Sequence, residues 1–167
     1  IPMRSWIIAV AFMALGSGPL IAQDPVDTRM LSQPAVTRSH IAFVYDGDLW
    51  LANRDGTDTR RVTTHPGSEG NPRFSPDGNL LAFTGEYDGN ADVFVVPVSG
   101  GAPTRLTWHP GYDKVIDWQP DGKSVRFQSP RQSHTGRDLQ LYTVSTAAGL
   151  PRPLVLPTGG LSSYSPD

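Results

Sequence analysis

A short turn sequence recurs along this chain of 167 residues and constrains its fold more than any other feature. Ser75-Pro76-Asp77-Gly78 is the first copy, Pro120-Asp121-Gly122 follows 44 residues later, and Pro166-Asp167 begins a third copy 46 residues further on. Proline suits the second position of a type I turn, and glycine tolerates the left-handed conformation that follows. Turns at this spacing predict an internal repeat of roughly 45 residues.

The sequence between these turns is divided into short runs rich in Val, Phe and Thr, which are residues that strands prefer. Residues 71–107 form the clearest repeat, with predicted strands at 73–75, 80–84, 92–98 and 104–107. Four consecutive antiparallel strands form one twisted sheet. A repeat of this length with four strands is typical of a β-propeller blade.

Two sets of aromatic residues keep the same period. One set lies in the second run of each repeat, where we expect it to fill the interfaces between blades. The other set lies just before each turn, at one shared position of the innermost strand, and we expect it to pack in the core as well. The two sets are Phe43, Phe83 and Phe127, and Phe74, Trp118 and Tyr164.

The predicted fold is therefore all-β: a β-propeller of four-stranded antiparallel blades, truncated after about three blades. Blade one spans about residues 40–65, blade two about 71–109 and blade three about 115–157, and a fourth blade begins at 162–167. The polar segment 23–39 is a linker or supplies the first strand of blade one. A propeller closes with about four to eight blades, so we expect an N-terminal fragment of a longer protein. The remaining predicted strands are 40–45, 48–53, 59–63, 115–119, 124–128, 139–145 and 152–156.

Residues 1–22 have the pattern of a signal peptide. Arg4 supplies the positive charge, residues 6–15 form the apolar stretch, and Ala22 is a cleavage position before Gln23. The alternative is a membrane anchor, but the apolar stretch is too short to span about 30 Å of hydrocarbon as a helix. The pattern predicts export, to the periplasm or the medium, with no membrane association after cleavage.

Composition excludes several classes of function. The net charge is −2, which argues against a nucleic-acid partner. The absence of cysteine removes disulfides, thiolate nucleophiles and cysteine-based metal sites. The 17 glycines and 16 prolines separate hydrophobic runs, so they indicate turns rather than disorder.

The sequence contains no recognisable catalytic motif. It lacks a G-x-S-x-G nucleophile elbow, an HExxH helix and a phosphate-binding loop, and Ser68 comes closest to the first with Pro66 in place of a glycine. His65 and His109 each precede Pro-Gly one repeat apart, so we expect equivalent loop positions with capping hydrogen bonds. We expect no catalytic residue, no metal site and no cofactor in this chain.

Three other patterns favour structural roles. Asp88, Asn90 and Asp92 imitate the start of a calcium loop, but Val93 and Ser99 stand where an EF-hand requires glycine and glutamate, so we predict a hairpin turn. The repeated Arg-x-Thr pieces at 61–63 and 105–107 are expected to point outward from outer strands. The long loop of blade three carries polar residues that we interpret as solvated, although loops on a rigid scaffold often carry function. These loop residues are Arg131, His134, Arg137 and Asp138.

The repeats resemble the TolB-type propeller repeat, and longer stretches resemble the opening blades of tricorn-type proteases. The similar stretches are HIAFVYDGDLWLANRDG, RVTTHPGSEGNPRFSPDG, LLAFTGEYDGNADVFVVPVSGGAPTRLTWHPG and DWQPDGKSVRFQS. The most specific parts are residues 83–90 and 105–111. The resemblance covers roughly residues 40–167.

The resemblance implies a six-bladed propeller followed by a second propeller, a PDZ domain and a serine peptidase domain related to C-terminal processing proteases. Such proteins hydrolyse peptides, and their propellers admit or channel substrate and product, so the implied partner is a peptide or protein substrate. The resemblance also allows a homo-oligomer of the full-length protein. The family's catalytic serine, histidine and acidic residues lie beyond Asp167, so none can be assigned here. The archetypal enzyme is cytoplasmic, whereas this chain carries an export pattern.

Two alternatives remain open at the level of sequence. A TolB-like periplasmic binding propeller would have no hydrolase attached. The propeller of a prolyl-oligopeptidase-type hydrolase would be followed by an α/β-hydrolase domain with a nucleophile elbow, and not by a PDZ domain.

Overall fold

The computed structural model describes residues 31–133, 138–147 and 149–155, which form twelve β-strands. These residues form no helix of the length and apolarity that crossing a bilayer requires. Blade one contains β1 (Ser32–Val36), β2 (His40–Tyr45), β3 (Asp48–Asn53) and β4 (Arg60–Arg61). Blade two contains β5 (Glu69–Phe74), β6 (Leu80–Tyr87), β7 (Asn90–Pro97) and β8 (Thr104–Arg105). Blade three contains β9 (Lys114–Trp118), β10 (Ser124–Ser129), β11 (Gln140–Ser145) and β12 (Arg152–Pro153).

Each blade is a separate four-stranded sheet in which consecutive strands are antiparallel neighbours. This arrangement confirms the predicted all-β fold with four-stranded blades, and the three described blades form an arc that is not closed into a ring. The segment before His40 supplies β1, which pairs with β2. The predicted signal peptide, the loop residues His134 and Arg137, and the predicted start of blade four lie outside the described residues.

The turns have the backbone geometry that their sequences require. In the β6–β7 hairpin Asp88 has a φ of 56° and Gly89 a φ of 80°. Two successive positive φ values match a type I′ turn, whose twist suits adjacent strands. In the repeated Pro-Asp-Gly turns, the N–H of Gly78 donates to the carbonyl of Ser75 at 2.8 Å, and that of Gly122 donates to Gln119 at 2.9 Å.

Because consecutive strands are antiparallel, the loops that connect them lie alternately at two opposite ends of the blades. The end that we call the Asp-Gly end carries the hairpins at 46–47 and 88–89 and the loops that enter blades two and three. The opposite end, the Pro-Asp-Gly end, carries the turns between the first two strands of each blade and the loops between the last two. Loops of neighbouring blades therefore meet at each end.

The core lies between the blades and contains an aromatic cross-strand pair from blade two and another from blade three. Phe83 is paired with Phe94, with ring centroids 5.5 Å apart, and Phe127 with Tyr142, with centroids 5.7 Å apart. Phe83 packs in the cluster shared with blade one, and Phe127 in the cluster shared with blade two. Both are fully buried, as predicted.

Phe43, the equivalent residue of blade one, lies outside the interface with blade two, so its predicted packing against another blade stays a prediction. Ala42 and Val44 pack toward blade two, so alternation turns Phe43 and its partner Trp50 to the other face of blade one. No described blade covers that face, and Phe43 is therefore only half-buried. In the second aromatic set, Trp118 is buried, Phe74 is half-buried, and Tyr164 lies outside the described residues.

The innermost strands are bulged and joined to one another. Gln33 and Asn71 have φ values of 52° and 54°, and each lies where its strand shifts register against the next. The N–H of Asn71 donates to Oε1 of Gln33 at 2.5 Å, which links blades one and two. Blades two and three are linked by Arg73 Nε, which donates to the carbonyl of Ile116 at 2.9 Å, and by the indole of Trp118, which donates to the carbonyl of Arg73.

Candidate recognition surface

The loops that enter blades two and three share one hydrogen-bonded conformation. Nδ1 of His65 accepts the N–H of Gly67 at 3.0 Å, and Nδ1 of His109 accepts the N–H of Gly111 at 2.9 Å. The histidines are therefore equivalent loop-capping residues, as predicted. This geometry occupies one nitrogen of each imidazole in holding the loop.

A buried acidic residue follows each of these loops. Glu69 begins β5 with its side chain buried, and Oε2 accepts a hydrogen bond from the buried hydroxyl of Thr63. Tyr87 packs nearby, with its ring 3.9 Å from the ring of His65 and 4.6 Å from that of Phe94. Burial raises the pKa of Glu69, and burial together with the neighbouring Glu69 carboxyl raises the pKa of Tyr87.

Blade three has different residues at the positions equivalent to Glu69 and Tyr87, namely Asp113 and Arg131. Asp113 replaces the glutamate and is fully buried, and its Oδ2 accepts a hydrogen bond from Arg131 at 2.6 Å. The guanidinium of Arg131 lies 5.0 Å from the ring of Phe127 and 4.9 Å from that of Tyr142. Arg131, predicted to be a solvated loop residue, is therefore a half-buried structural residue because it pairs with Asp113 and covers the aromatic pair of its blade. Of the other loop residues, Asp138 is exposed as expected.

An Asp-Arg-Thr cluster joins the third strand to the fourth strand in blades one and two. In blade two, Asp92 accepts hydrogen bonds from Arg105 at 2.5 Å and from Thr107 at 2.9 Å, while Arg105 also donates to the carbonyl of Thr107. The hydroxyl of Thr107 in turn accepts the N–H of Val93. Asp48, Arg61 and Thr63 repeat the ion pair and both backbone contacts in blade one.

The cluster corrects one sequence interpretation and supports another. Thr63 and Thr107 were expected to point outward, but both are buried, because each hydroxyl satisfies a backbone N–H of the adjacent strand. The hairpin prediction for 88–92 is confirmed, since Asp88 occupies the turn and Asp92 is committed to Arg105. Within the described part of the chain, no group of three or more His, Asp or Glu side chains could hold a metal ion.

Two large aromatic side chains remain exposed on the loop between blades two and three. Trp108 is 68% exposed and Tyr112 is 43% exposed, and they flank His109 and Gly111 at the Asp-Gly end. The guanidinium of Arg105 lies over the ring of Trp108, 5.9 Å from its centroid, in a cation–π contact. The equivalent positions of the loop entering blade two hold Thr64 and Ser68, so the aromatic pair is specific to this loop. Exposed aromatic residues on a rigid loop are typical of surfaces that bind peptides or proteins.

The described residues lack the arrangement that nucleophilic catalysis requires. Oγ of Ser39 lies 2.9 Å from Nδ1 of His40, in an exposed turn at the Pro-Asp-Gly end. No carboxylate in residues 31–133, 138–147 or 149–155 hydrogen-bonds to this imidazole to orient it as a base. The described surfaces offer exposed aromatic rings and arginines that can bind a partner.

Comparison with known sequences places these features in a family. The family model for the Tricorn protease N-terminal beta propeller domain matches residues 28–167. Tricorn protease homolog 1 of Streptomyces coelicolor is 37% identical over 98 residues, which cover 58% of this chain and 9% of that protein. A Protein TolB homolog of Chlorobium luteolum is 39% identical over 61 residues, covering 36% of this chain and 14% of that protein. The chain thus spans a small part of the curated relatives it matches.

Solved structures show the same architecture. The crystal structure of the tricorn protease matches 75% of this chain and 13% of its own, with a TM-score of 0.67 and 24% identity. TolB from Acinetobacter baumannii matches 75% of this chain and 32% of its own, with a TM-score of 0.64 and 27% identity. Because the family match spans most of the sequence and the three blades agree with it, this chain belongs to the family of tricorn protease N-terminal β-propeller domains.

Proposed function

We propose that this chain is the N-terminal propeller region of an exported tricorn-like serine peptidase and serves substrate recognition or gating in proteolysis. The observation that carries the proposal is the family match over residues 28–167. The absence of a nucleophile–base–acid arrangement in the described residues is consistent with chemistry located in another domain of the full-length protein.

The blades are suited to gating the entry of substrate, because packing holds their relative positions while the loops at their ends differ in sequence from blade to blade. The innermost strands are joined by Gln33, Asn71 and Arg73, so neighbouring blades hold one position at the axis. Trp108 and Tyr112 then present apolar surface at the Asp-Gly end, where a peptide side chain can be desolvated on approach. The partner in this proposal is a peptide or protein substrate, and the full-length protein can assemble as a homo-oligomer.

Export is part of the proposal. Its support is the N-terminal sequence, in which Arg4 precedes the apolar stretch 6–15 and Ala22 provides a cleavage position. N-terminal sequencing of the protein recovered from the periplasm or the medium tests this part. A mature N-terminus near Gln23 supports export, and an uncleaved chain confined to the cytoplasm contradicts it.

The activity is tested on the full-length protein, purified and incubated with a mixture of unstructured peptides. We expect hydrolysis that a serine-directed phosphonylating reagent abolishes. A control with the reagent and no enzyme accounts for spontaneous cleavage. Stable binding of peptides or proteins without any hydrolysis contradicts the peptidase assignment.

A TolB-like binding propeller without a hydrolase is the second candidate. It is supported by the 27% identity and TM-score of 0.64 to TolB from Acinetobacter baumannii. Co-purification of the full-length protein with one stoichiometric protein partner, together with no peptide turnover, favours this candidate.

A further inference from the structure

A large groove lies at the Pro-Asp-Gly end, between blades one and two and opposite the exposed aromatic pair. Its volume is about 1380 Å³, and its walls are the turns and outer loops of the two blades. Four basic side chains line it, against the one acidic side chain of Asp77. These basic residues are Arg38, His40, Arg54 and Arg60. We call this site the basic groove.

The three arginines of the groove differ in their partners: Arg60 is held by contacts, whereas Arg38 and Arg54 form no ion pair with any described residue. Arg60 spans the groove, since it donates to the carbonyl of Val98 at 2.5 Å and lies 3.9 Å from Asp58. Arg38 and Arg54 are exposed, and no carboxylate in the described part of the chain pairs with either guanidinium. The basic groove therefore holds two positive charges without a counter-charge in a chain whose net charge is −2.

The acidic residue in the groove forms no ion pair with either arginine. Asp77 accepts hydrogen bonds from the hydroxyl of Ser75 at 2.5 Å and from the backbone and side chain of Asn79 at 3.1 and 2.8 Å. These bonds hold the pKa of Asp77 below its usual value, so the carboxylate is ionised and committed to its own turn.

The groove also has apolar surface between the charges. Val36 is 59% exposed, and Pro76, Pro97 and Val98 line the same cavity. The volume exceeds the 300–1,000 Å³ or so that is usual for a small-molecule site, which favours a chain segment over a compact ligand. A guanidinium binds a carboxylate through two parallel hydrogen bonds, and this geometry needs an uncommitted fork such as those of Arg38 and Arg54.

We propose that the basic groove binds an extended acidic peptide segment, with its carboxylates on Arg38 and Arg54 and its apolar side chains on Val36 and Pro76. A single-stranded nucleic acid is disfavoured because such ligands need exposed aromatic rings for base stacking. The aromatic rings lining the groove are those of His40 and of Phe74, and the latter packs against the core. This site lies at the other end of the blades from Trp108 and does not depend on peptidase activity.

The test measures the anisotropy of a fluorescein-labelled peptide of alternating glutamate and leucine on titration with the full-length protein at low salt. The same peptide with glutamine in place of glutamate is the neutral probe. The intact mass of each probe is checked after titration, so that hydrolysis is not read as lack of binding. We expect the acidic peptide to bind and the neutral peptide to bind far more weakly, with affinity falling as salt is raised.

The double variant Arg38→Gln/Arg54→Gln should weaken binding of the acidic peptide by roughly tenfold. The matched control is Lys114→Gln/Lys123→Gln, which removes the same charge from exposed residues outside the groove and should leave affinity unchanged. The proposal is overturned by no binding, by equal binding of the neutral peptide, or by equal losses in both double variants. It is also overturned if an oligonucleotide of matched charge binds more tightly with the same dependence on the two arginines.

Discussion

Asp113 holds in blade three the position that Glu69 holds in blade two, and both residues tie their blade to the preceding one. The N–H of Glu69 donates to the carbonyl of Gly47 at 2.7 Å, and the N–H of Asp113 donates to Ala91 at 2.7 Å. Their side-chain neighbours differ: the glutamate lies among Thr63 and Tyr87, whereas the aspartate pairs with Arg131. The backbone hydrogen bond between blades is therefore repeated. Of the two buried carboxyl groups, only that of Asp113 in blade three is paired with an arginine.

The first prediction concerns the pH dependence of stability at Glu69. Burial raises the pKa of this carboxyl above its ordinary value, so the folded state binds the proton more tightly than the unfolded state. Its contribution to stability is full below the unfolded pKa and is lost as pH rises through the folded pKa. Glu69→Gln should therefore gain stability over the wild type as pH increases across this window, measured by urea denaturation at several pH values.

Glu86→Gln is the matched control, because it makes the same side-chain change at an exposed residue of the neighbouring strand. A Glu69→Gln profile parallel to that of the wild type contradicts a raised pKa at Glu69.

The second prediction concerns the Asp-Arg-Thr cluster of blade two. The side chain of Asp92 is 1% exposed and that of Arg105 is 27% exposed. Asp92→Ala leaves the arginine and the hydroxyl of Thr107 without their acceptor, and it should reduce the free energy of unfolding by about 2–3 kcal/mol. Asp58→Ala removes a 3.9 Å ion pair to Arg60 in which the aspartate is 70% exposed, and it should cost less than about 0.5 kcal/mol. Equal losses in the two variants would show that burial of Asp92 does not strengthen the pair.

The third prediction concerns close packing at the loop that enters blade two. A Cβ on Gly67 would lie 2.0 Å from the carbonyl oxygen of Glu86, which is backbone and cannot rotate away. Gly67→Ala should lower the free energy of unfolding by about 1–3 kcal/mol in a denaturation experiment. At the equivalent Gly111 the Cβ would meet side-chain atoms of His109 and Pro130 at 3.1 Å. Gly111→Ala should therefore be milder, and the reverse order would count against the described loop geometry.

The fourth prediction tests the exposed aromatic pair and rests on the proposed peptidase function. Trp108→Ala should change stability by less than about 0.5 kcal/mol, because the side chain is 68% exposed. It should raise KM for peptide substrates several-fold, because the substrate loses an apolar contact. Leu150→Ala, at an 89% exposed residue of the opposite end, should alter neither quantity. An unchanged KM in Trp108→Ala removes this loop from substrate recognition.

Periodic features of the sequence predict most of the blade architecture. Strands β2 and β3 have the predicted bounds, because the Asp-Gly hairpin between them determines their register. The innermost strand of blade two begins at Glu69, four residues before its predicted start. Gly70, Asn71 and Pro72 look like a turn in sequence, but they form a bulge that keeps pairing with β6.

The buried polar contacts were not predictable in the same way. Glu69 and Tyr87 are far apart in sequence and belong to no motif, so only the packing of strands brings them together. The equivalence of Tyr87 and Arg131 would emerge from aligning the repeats, but nothing in the sequence indicates that Arg131 pairs with Asp113. The half-buried Phe43 depends on which blades surround it, and a repeat pattern treats all three phenylalanines alike.

The most direct measurement is the nucleotide sequence of the gene downstream of the codon for Asp167. We predict that the reading frame continues through further blades, each with an aromatic cross-strand pair like Phe83 and Phe94, and then through a PDZ-like segment and a serine peptidase domain. A frame that closes soon after the propeller would contradict the peptidase assignment and leave a binding protein.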